Sequence, residues 1–167
     1  IIRIKVSSKD DKENEVSMLS TGDSCINQSR YLCATYGDYL ESDMVTMAHH
    51  GNIGSETALY EEVQARILWY PHTVSSFISY STGSLSSWPH NVSVRIVQME
   101  CLEYVYVSGS GAKFGTVTLK FDKATPLYDQ PCDVVNGNKI GISTSISSMG
   151  DANAPVYDNP NYKEKNN

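Results

Sequence analysis

Residues Ile1 to Val6 alternate β-branched and polar side chains, the period-two pattern of a half-buried strand. Ser7 to Asn14 is charged and polar and reads as a hairpin loop. Glu15 to Leu19 is the returning strand, and Thr21-Gly22-Asp23-Ser24 ends it. The period then changes. Ile26, Ser29, Leu32, Cys33, Tyr36 and Leu40 recur at three- and four-residue intervals. That spacing predicts a helix, capped by Ser24 and ended or loosened at Gly37. Met44 to Ala48 is a short, nearly continuous apolar run that predicts a buried strand leading into His49-His50-Gly51.

A second helix follows, with Ser55 as its cap, Ala58, Leu59 and Val63 inward, and Glu61 and Glu62 outward. Ile67 to Tyr70 is the next strand, stopped by Pro71. Residues 72–88 are Ser-rich and ambiguous. Pro89 opens a third helix with Val92, Ile96 and Val97 inward. Tyr104–Val107 and Gly115–Phe121 read as two strands across the turn Ser108-Gly109-Ser110-Gly111. Alternating strands and helices, closed by a hairpin, predict an α/β layered domain over residues 1–124. Residues 125–167 are richer in Ser, Asn, Gly and Pro and read as an extension. It holds one candidate hairpin turn at Asn136-Gly137 and a polar, mobile tail from Gly150.

Composition narrows the function. The chain has 167 residues, enough for one domain with a core, and a net charge of −6. That balance argues against a broad electrostatic surface for nucleic acid. No apolar run approaches the ~20 residues that span a bilayer. The first residues resemble the middle of a strand and lack an initiator Met, so the chain reads as an excised fragment. Cys25, Cys33, Cys101 and Cys132 form no C-x-x-C pair, which disfavours a structural zinc site. Cys25 and Cys33 fall on one predicted helix, ~12 Å apart along its axis, and cannot bridge. Free, mostly buried thiols are expected.

Two motifs at strand ends carry the candidate chemistry, since functional groups in α/β folds gather there. Asp23 follows Gly22, and its two carboxylate oxygens suit it to bridging divalent cations; it equally suits the capping of the next helix. His49 and His50 point to different sides if strand geometry continues. One imidazole would then coordinate a metal while the other hydrogen-bonds a substrate oxygen. A His-His pair at a strand end also occurs without function. His72 and His90, each beside a proline, read as loop or cap residues. There is no G-x-S-x-G elbow and no phosphate loop.

The order of these motifs resembles the C-terminal half of the metallo-β-lactamase superfamily, over about Ile1 to Phe121. Val16-Ser17-Met18-Leu19-Ser20-Thr21-Gly22-Asp23 looks like the family strand ending in the metal-bridging aspartate. Ser42-Asp43-Met44-Val45-Thr46-Met47-Ala48-His49-His50-Gly51 looks like its "SDxxxxxHHG" strand and loop. The likeness is closest to the branch with the hydrolase-like domain of the DNA-uptake protein ComEC and the phosphorylcholine esterases. It implies an αββα sandwich, of which this chain would be one half. Asp23 would bridge two metal ions, usually zinc, His50 would be the last metal ligand, and His49 would contact a substrate phosphate or oxyanion. It implies a phosphoester or related ester as substrate, cleaved with metal-activated water.

The family's HxHxDH motif is absent from the chain. Catalytic zinc sites usually take three protein ligands, so the chain alone is expected to be inactive and to hold metal weakly. The missing N-terminal half or a second copy of the chain is the expected partner, because half a sandwich exposes an apolar face. The alternative is a binding or scaffold module that keeps the fold without the chemistry.

Overall fold

The computed structural model describes residues 1–7, 15–52, 54–73, 76–77, 90–110, 113–114, 116–119, 134–135, 138–139, 142–145, 156–158 and 161–163. Cys132, the side chain of His90, most of the Ser-rich stretch and the Asn136-Gly137 pair lie outside the described residues.

The fold is mixed α/β. Its main sheet holds β1 (Ile2–Ser7), β2 (Glu15–Ser20), β3 (Met44–Thr46), β4 (Ile67–Thr73) and β5 (Tyr104–Ser110), side by side in chain order. β1 runs antiparallel to β2, and β2 through β5 are parallel. The crossovers are α1 (Ile26–Tyr36), α2 (Thr57–Val63) and α3 (His90–Val97). Three crossovers of one hand that step the same way across a sheet leave their helices on one face. The side chains agree. Leu19, Val45, Leu68 and Val105 stand in one row across the sheet and form one core with Leu59, Tyr60, Val63 and Ile96 of the helices. Burying each of these aliphatic side chains contributes about 1.5–3 kcal/mol.

The neighbouring residue on each strand faces the other way. Met18, Met44, Ile67 and Tyr104 form the row on the opposite face, where Val16, Met44, Ile67, Tyr104 and Tyr106 make a second buried cluster. No helix residue belongs to that cluster among the described residues. β1 extends the face: Ile4 lies opposite Met18 and Val6 opposite Val16. Yet Ile2, Ile4 and Val6 are 65%, 48% and 53% exposed. Beyond β5 the sheet is extended by β6 (Lys113–Phe114) and β11 (Val156–Asp158), both antiparallel to it. A separate four-stranded sheet has the order β7 (Thr116–Leu119), β10 (Ile142–Ser145), β9 (Asn138–Lys139), β8 (Val134–Val135).

Several sequence expectations change here. β5 continues to Ser110 and its return strand is Lys113–Phe114, so Gly109 is a strand residue. Thr116–Leu119 pairs with Ile142–Ser145 and not with β5, so the expected terminal hairpin is replaced by a longer-range pairing. β8 and β9 do pair around positions 136–137, with Asn138 opposite Val135 and Lys139 opposite Val134. Residues 156–158, in the stretch expected to be a tail, add a strand to the main sheet. Pro71 does not stop β4, which runs on to Thr73. Leu40 sits on a separate 3-10 turn (Gly37–Leu40) beyond the helix end at Gly37. Ala58 is exposed. Cys25 is exposed and Cys33 and Cys101 are half-buried, so the thiols are less buried than expected.

Neither predicted serine cap is used as one. Cys25 occupies the N-cap of α1, where its backbone N–H donates to Gln28 Oε1 (2.8 Å). Glu56 occupies that of α2. Ser24 and Ser55 are instead buried and hydrogen-bonded to each other at 2.6 Å, tying the starts of the two helices together.

Candidate metal and anion site at the strand ends

β2, β3 and β4 are parallel, so their carboxyl ends open on the same edge of the sheet, and the three candidate segments follow them. The end of β2 is tied to β3 by buried threonines. Thr21 N–H donates to Thr46 Oγ1 (2.8 Å), and Thr21 Oγ1 donates to the Thr46 carbonyl (2.9 Å). One step further, His49 N–H donates to the Gly22 carbonyl at 2.9 Å. These bonds carry the pairing of the two chain segments past the regular strands and set Asp23 beside the His-His loop. Asp43 anchors the other end of β3: its carboxylate accepts from the Ser17 N–H (2.7 Å) and hydroxyl (2.9 Å).

Strand geometry does not persist through the histidines. β3 ends at Thr46, and His49 and His50 both lie in the left-handed region, at φ 47° and 55°. Alternate sides therefore give way to a tight turn. A non-glycine residue in this region costs roughly 1–2 kcal/mol. The turn is held from beneath. Ala48 N–H donates to Tyr60 Oη (2.8 Å), and Ser93 Oγ donates to the Gly51 carbonyl (2.7 Å). Burial pushes the Tyr60 hydroxyl pKa well above its ordinary value, so it stays protonated. Gly51 follows at φ 81°, and a Cβ there would lie 1.7 Å from Tyr70 Oη.

This turn brings His50 to Asp23. His50 Nε2 lies 3.6 Å from Asp23 Oδ1, and both side chains are more than half exposed. On its other side His50 Nδ1 is 2.9 Å from the Pro71 carbonyl. A carbonyl only accepts, so Nδ1 carries a proton, and in the neutral ring Nε2 holds the lone pair. A backbone carbonyl on the remote nitrogen is the support that metal-ligating histidines use. Two donors on one zinc ion at ~2.1 Å and a tetrahedral angle stand about 3.4 Å apart. The Asp23–His50 pair therefore fits one cation. A third ligand is not in place: among the described residues no three His, Cys, Asp or Glu side chains gather closely enough to hold a metal.

His49 stands 6.4 Å from His50, ring centre to ring centre. Sequence reasoning set His72 aside, yet its ring stands edge-on to His50 at 6.2 Å. The cause is a bulge in β4. Tyr70 pairs with Val107 and Thr73 with Gly109, so β4 carries one extra residue where Pro71 and His72 lie. The extra residue also explains how a proline sits inside this strand, because a bulge relieves it of a ladder bond. Burial, and then the neighbouring His50, hold the His72 imidazole below its ordinary pKa. No signal in the sequence marks the bulge except the proline itself.

Among the described residues no helix is long and apolar enough to cross a membrane. No family model matches the chain, and neither a curated protein nor a solved structure matches it.

Proposed function

We propose that this chain is the C-terminal portion of a metallo-β-lactamase-like, metal-dependent hydrolase acting on a phosphoester or related ester. The observation that carries the reading is the Asp23–His50 pair, 3.6 Å apart, with His50 fixed in the ligating tautomer by the Pro71 carbonyl. In this reading Asp23 and His50 would be the residues of this chain that hold zinc, Asp23 as the shared ligand of a two-ion site and His50 as the last ligand. His49 donates a hydrogen bond to an oxygen of the substrate. Bound zinc would supply Lewis acidity and lower the pKa of a water at the site. The chain's own residues position and neutralise; the remaining ligands come from an N-terminal half or a second chain.

The exposed β1 end of the main sheet is what supports the half-sandwich form of this reading. The row through Ile4, Met18, Met44, Ile67 and Tyr104 is apolar; Met44, Ile67 and Tyr104 are buried, so among the described residues the bare apolar face expected of half a sandwich is confined to β1. A second sheet packed there would bury Ile2, Ile4 and Val6, as sheets do face to face at ~10 Å.

A non-catalytic binding module is the second reading. What favours it is that Asp23 and His50 are two ligands where a catalytic zinc takes three. Zinc titration of the purified chain separates the two readings, with calorimetry and elemental analysis after dialysis. The hydrolase reading expects weak binding that either Asp23→Ala or His50→Ala abolishes. Binding that both variants retain, or none at millimolar zinc, would sink it.

A further inference from the structure

Two of the three imidazoles at the strand ends, His50 and His72, engage the backbone through Nδ1 in opposite senses. His50 donates through Nδ1 to the Pro71 carbonyl, which leaves its Nε2 as a lone-pair donor for a cation. His72 is set the other way. The Thr73 backbone N–H donates to His72 Nδ1 at 2.7 Å, so in the neutral ring the proton sits on Nε2. Ligation through His72 Nε2 would require moving that proton to Nδ1 and breaking the Thr73 bond. His72 is thus unsuited to be the missing third metal ligand, near as it is. It is suited to donate.

One β-bulge produces both arrangements. The extra residue in β4 brings the Pro71 carbonyl to His50 and the His72 ring against its edge, so Pro71 and His72 act on the same site through different atoms. We propose that His72 is an anion-anchoring residue, whose Nε2–H hydrogen-bonds an oxygen of a phosphate-type group brought to the Asp23–His50 pair. The inference rests on the ligand reading given above and adds a second imidazole to it, beside His49. An N–H donor suits this position, because Thr73 occupies Nδ1 and the ring's other nitrogen can then meet an anionic oxygen only as a donor.

The test uses the ¹⁵N-labelled chain near pH 8, with long-range ¹H–¹⁵N spectra that read each histidine tautomer. Zinc and inorganic phosphate are titrated into separate samples. Two variants divide the roles of His72. His72→Gln keeps a donor near the Nε2 position and loses the acceptor for Thr73. His72→Asn keeps the acceptor and loses the donor. The expected result is an Nε2–H tautomer for His72, a phosphate-dependent shift of its signals, phosphate affinity within about twofold of the parent in His72→Gln, and about tenfold weaker in His72→Asn. An unchanged His50 tautomer in both variants shows that the turn is intact. An Nδ1–H tautomer for His72 overturns the proposal, as does phosphate binding that Asn keeps and Gln loses. Zinc that leaves the His50 signals unmoved overturns the ligand reading instead, and the two failures appear in different samples.

Discussion

Replacing Gly51 by alanine should destabilise the protein by an amount set by two separate causes. The first is conformational. Gly51 sits at φ 81°, where a residue with a Cβ is strained by roughly 1–2 kcal/mol. The second is steric. The new Cβ would lie 1.7 Å from Tyr70 Oη and 2.4 Å from its Cζ. Tyr70 cannot swing aside, because it is fully buried and packed edge-on against Phe77 at 5.1 Å between ring centres. Forcing an extra carbon into such packing typically costs about 1–3 kcal/mol. The sum is about 2–5 kcal/mol, equivalent to a fall in Tm of roughly 4–20 °C for a chain of this size. Urea denaturation monitored by tryptophan fluorescence measures it. The second cause can be isolated by adding Tyr70→Phe, which removes the closest atom but leaves Cζ. The double variant should recover part of the loss, with a coupling above about 0.5 kcal/mol. A Gly51→Ala protein within about 0.5 kcal/mol of the parent would refute the reasoning.

Tyr60→Phe removes the acceptor for the buried Ala48 N–H and should cost about 1–3 kcal/mol in the same denaturation assay, with weaker zinc binding as the His-His turn loosens. Asp43→Ala leaves the Ser17 N–H and hydroxyl without their carboxylate partner, and a loss of about 2–3 kcal/mol is expected by thermal unfolding. The Arg30 hydrogen bond, and next its charge, hold the Glu56 carboxyl below its ordinary range. The folded-state pKa is depressed, so this contribution is present above the unfolded value and is lost as pH falls through the folded one. Both groups are solvent-screened, so Arg30→Met should change the slope of Tm against pH only slightly, in the acid range, and high salt should erase the difference.

The four parallel strands were legible because each is a short apolar run with its own boundary signals, and the meeting of Asp23 with His50 followed from their positions at successive strand ends. What was not legible shares one physical feature: the deciding contact is remote in sequence. Alternation marks Thr116–Leu119 as a strand but does not name Ile142–Ser145 as its partner. A serine before a helix looks like a cap, and only the packing of α1 against α2 turns Ser24 and Ser55 toward each other. Pro71 looks like a stop because a proline cannot serve a regular ladder. The register shift against β5 makes it a bulge, and the same shift brings His72 into the site. Two consecutive non-glycine residues seldom take the left-handed region unaided, so the turn at His49 and His50 is held by bonds with Gly22, Tyr60 and Ser93, none of them a neighbour in the chain.

Those two consecutive left-handed histidines also bear on the chain's evolvability. Asparagine or glycine at either position would relieve the backbone and leave a more stable fold. A search that selects variants only for thermal resistance should therefore collect substitutions at positions 49 and 50 early and keep them. A search that selects for whatever this edge of the sheet binds should return histidine there. Where the two selections part company, residue by residue, maps the functional surface even while its ligand is still unidentified.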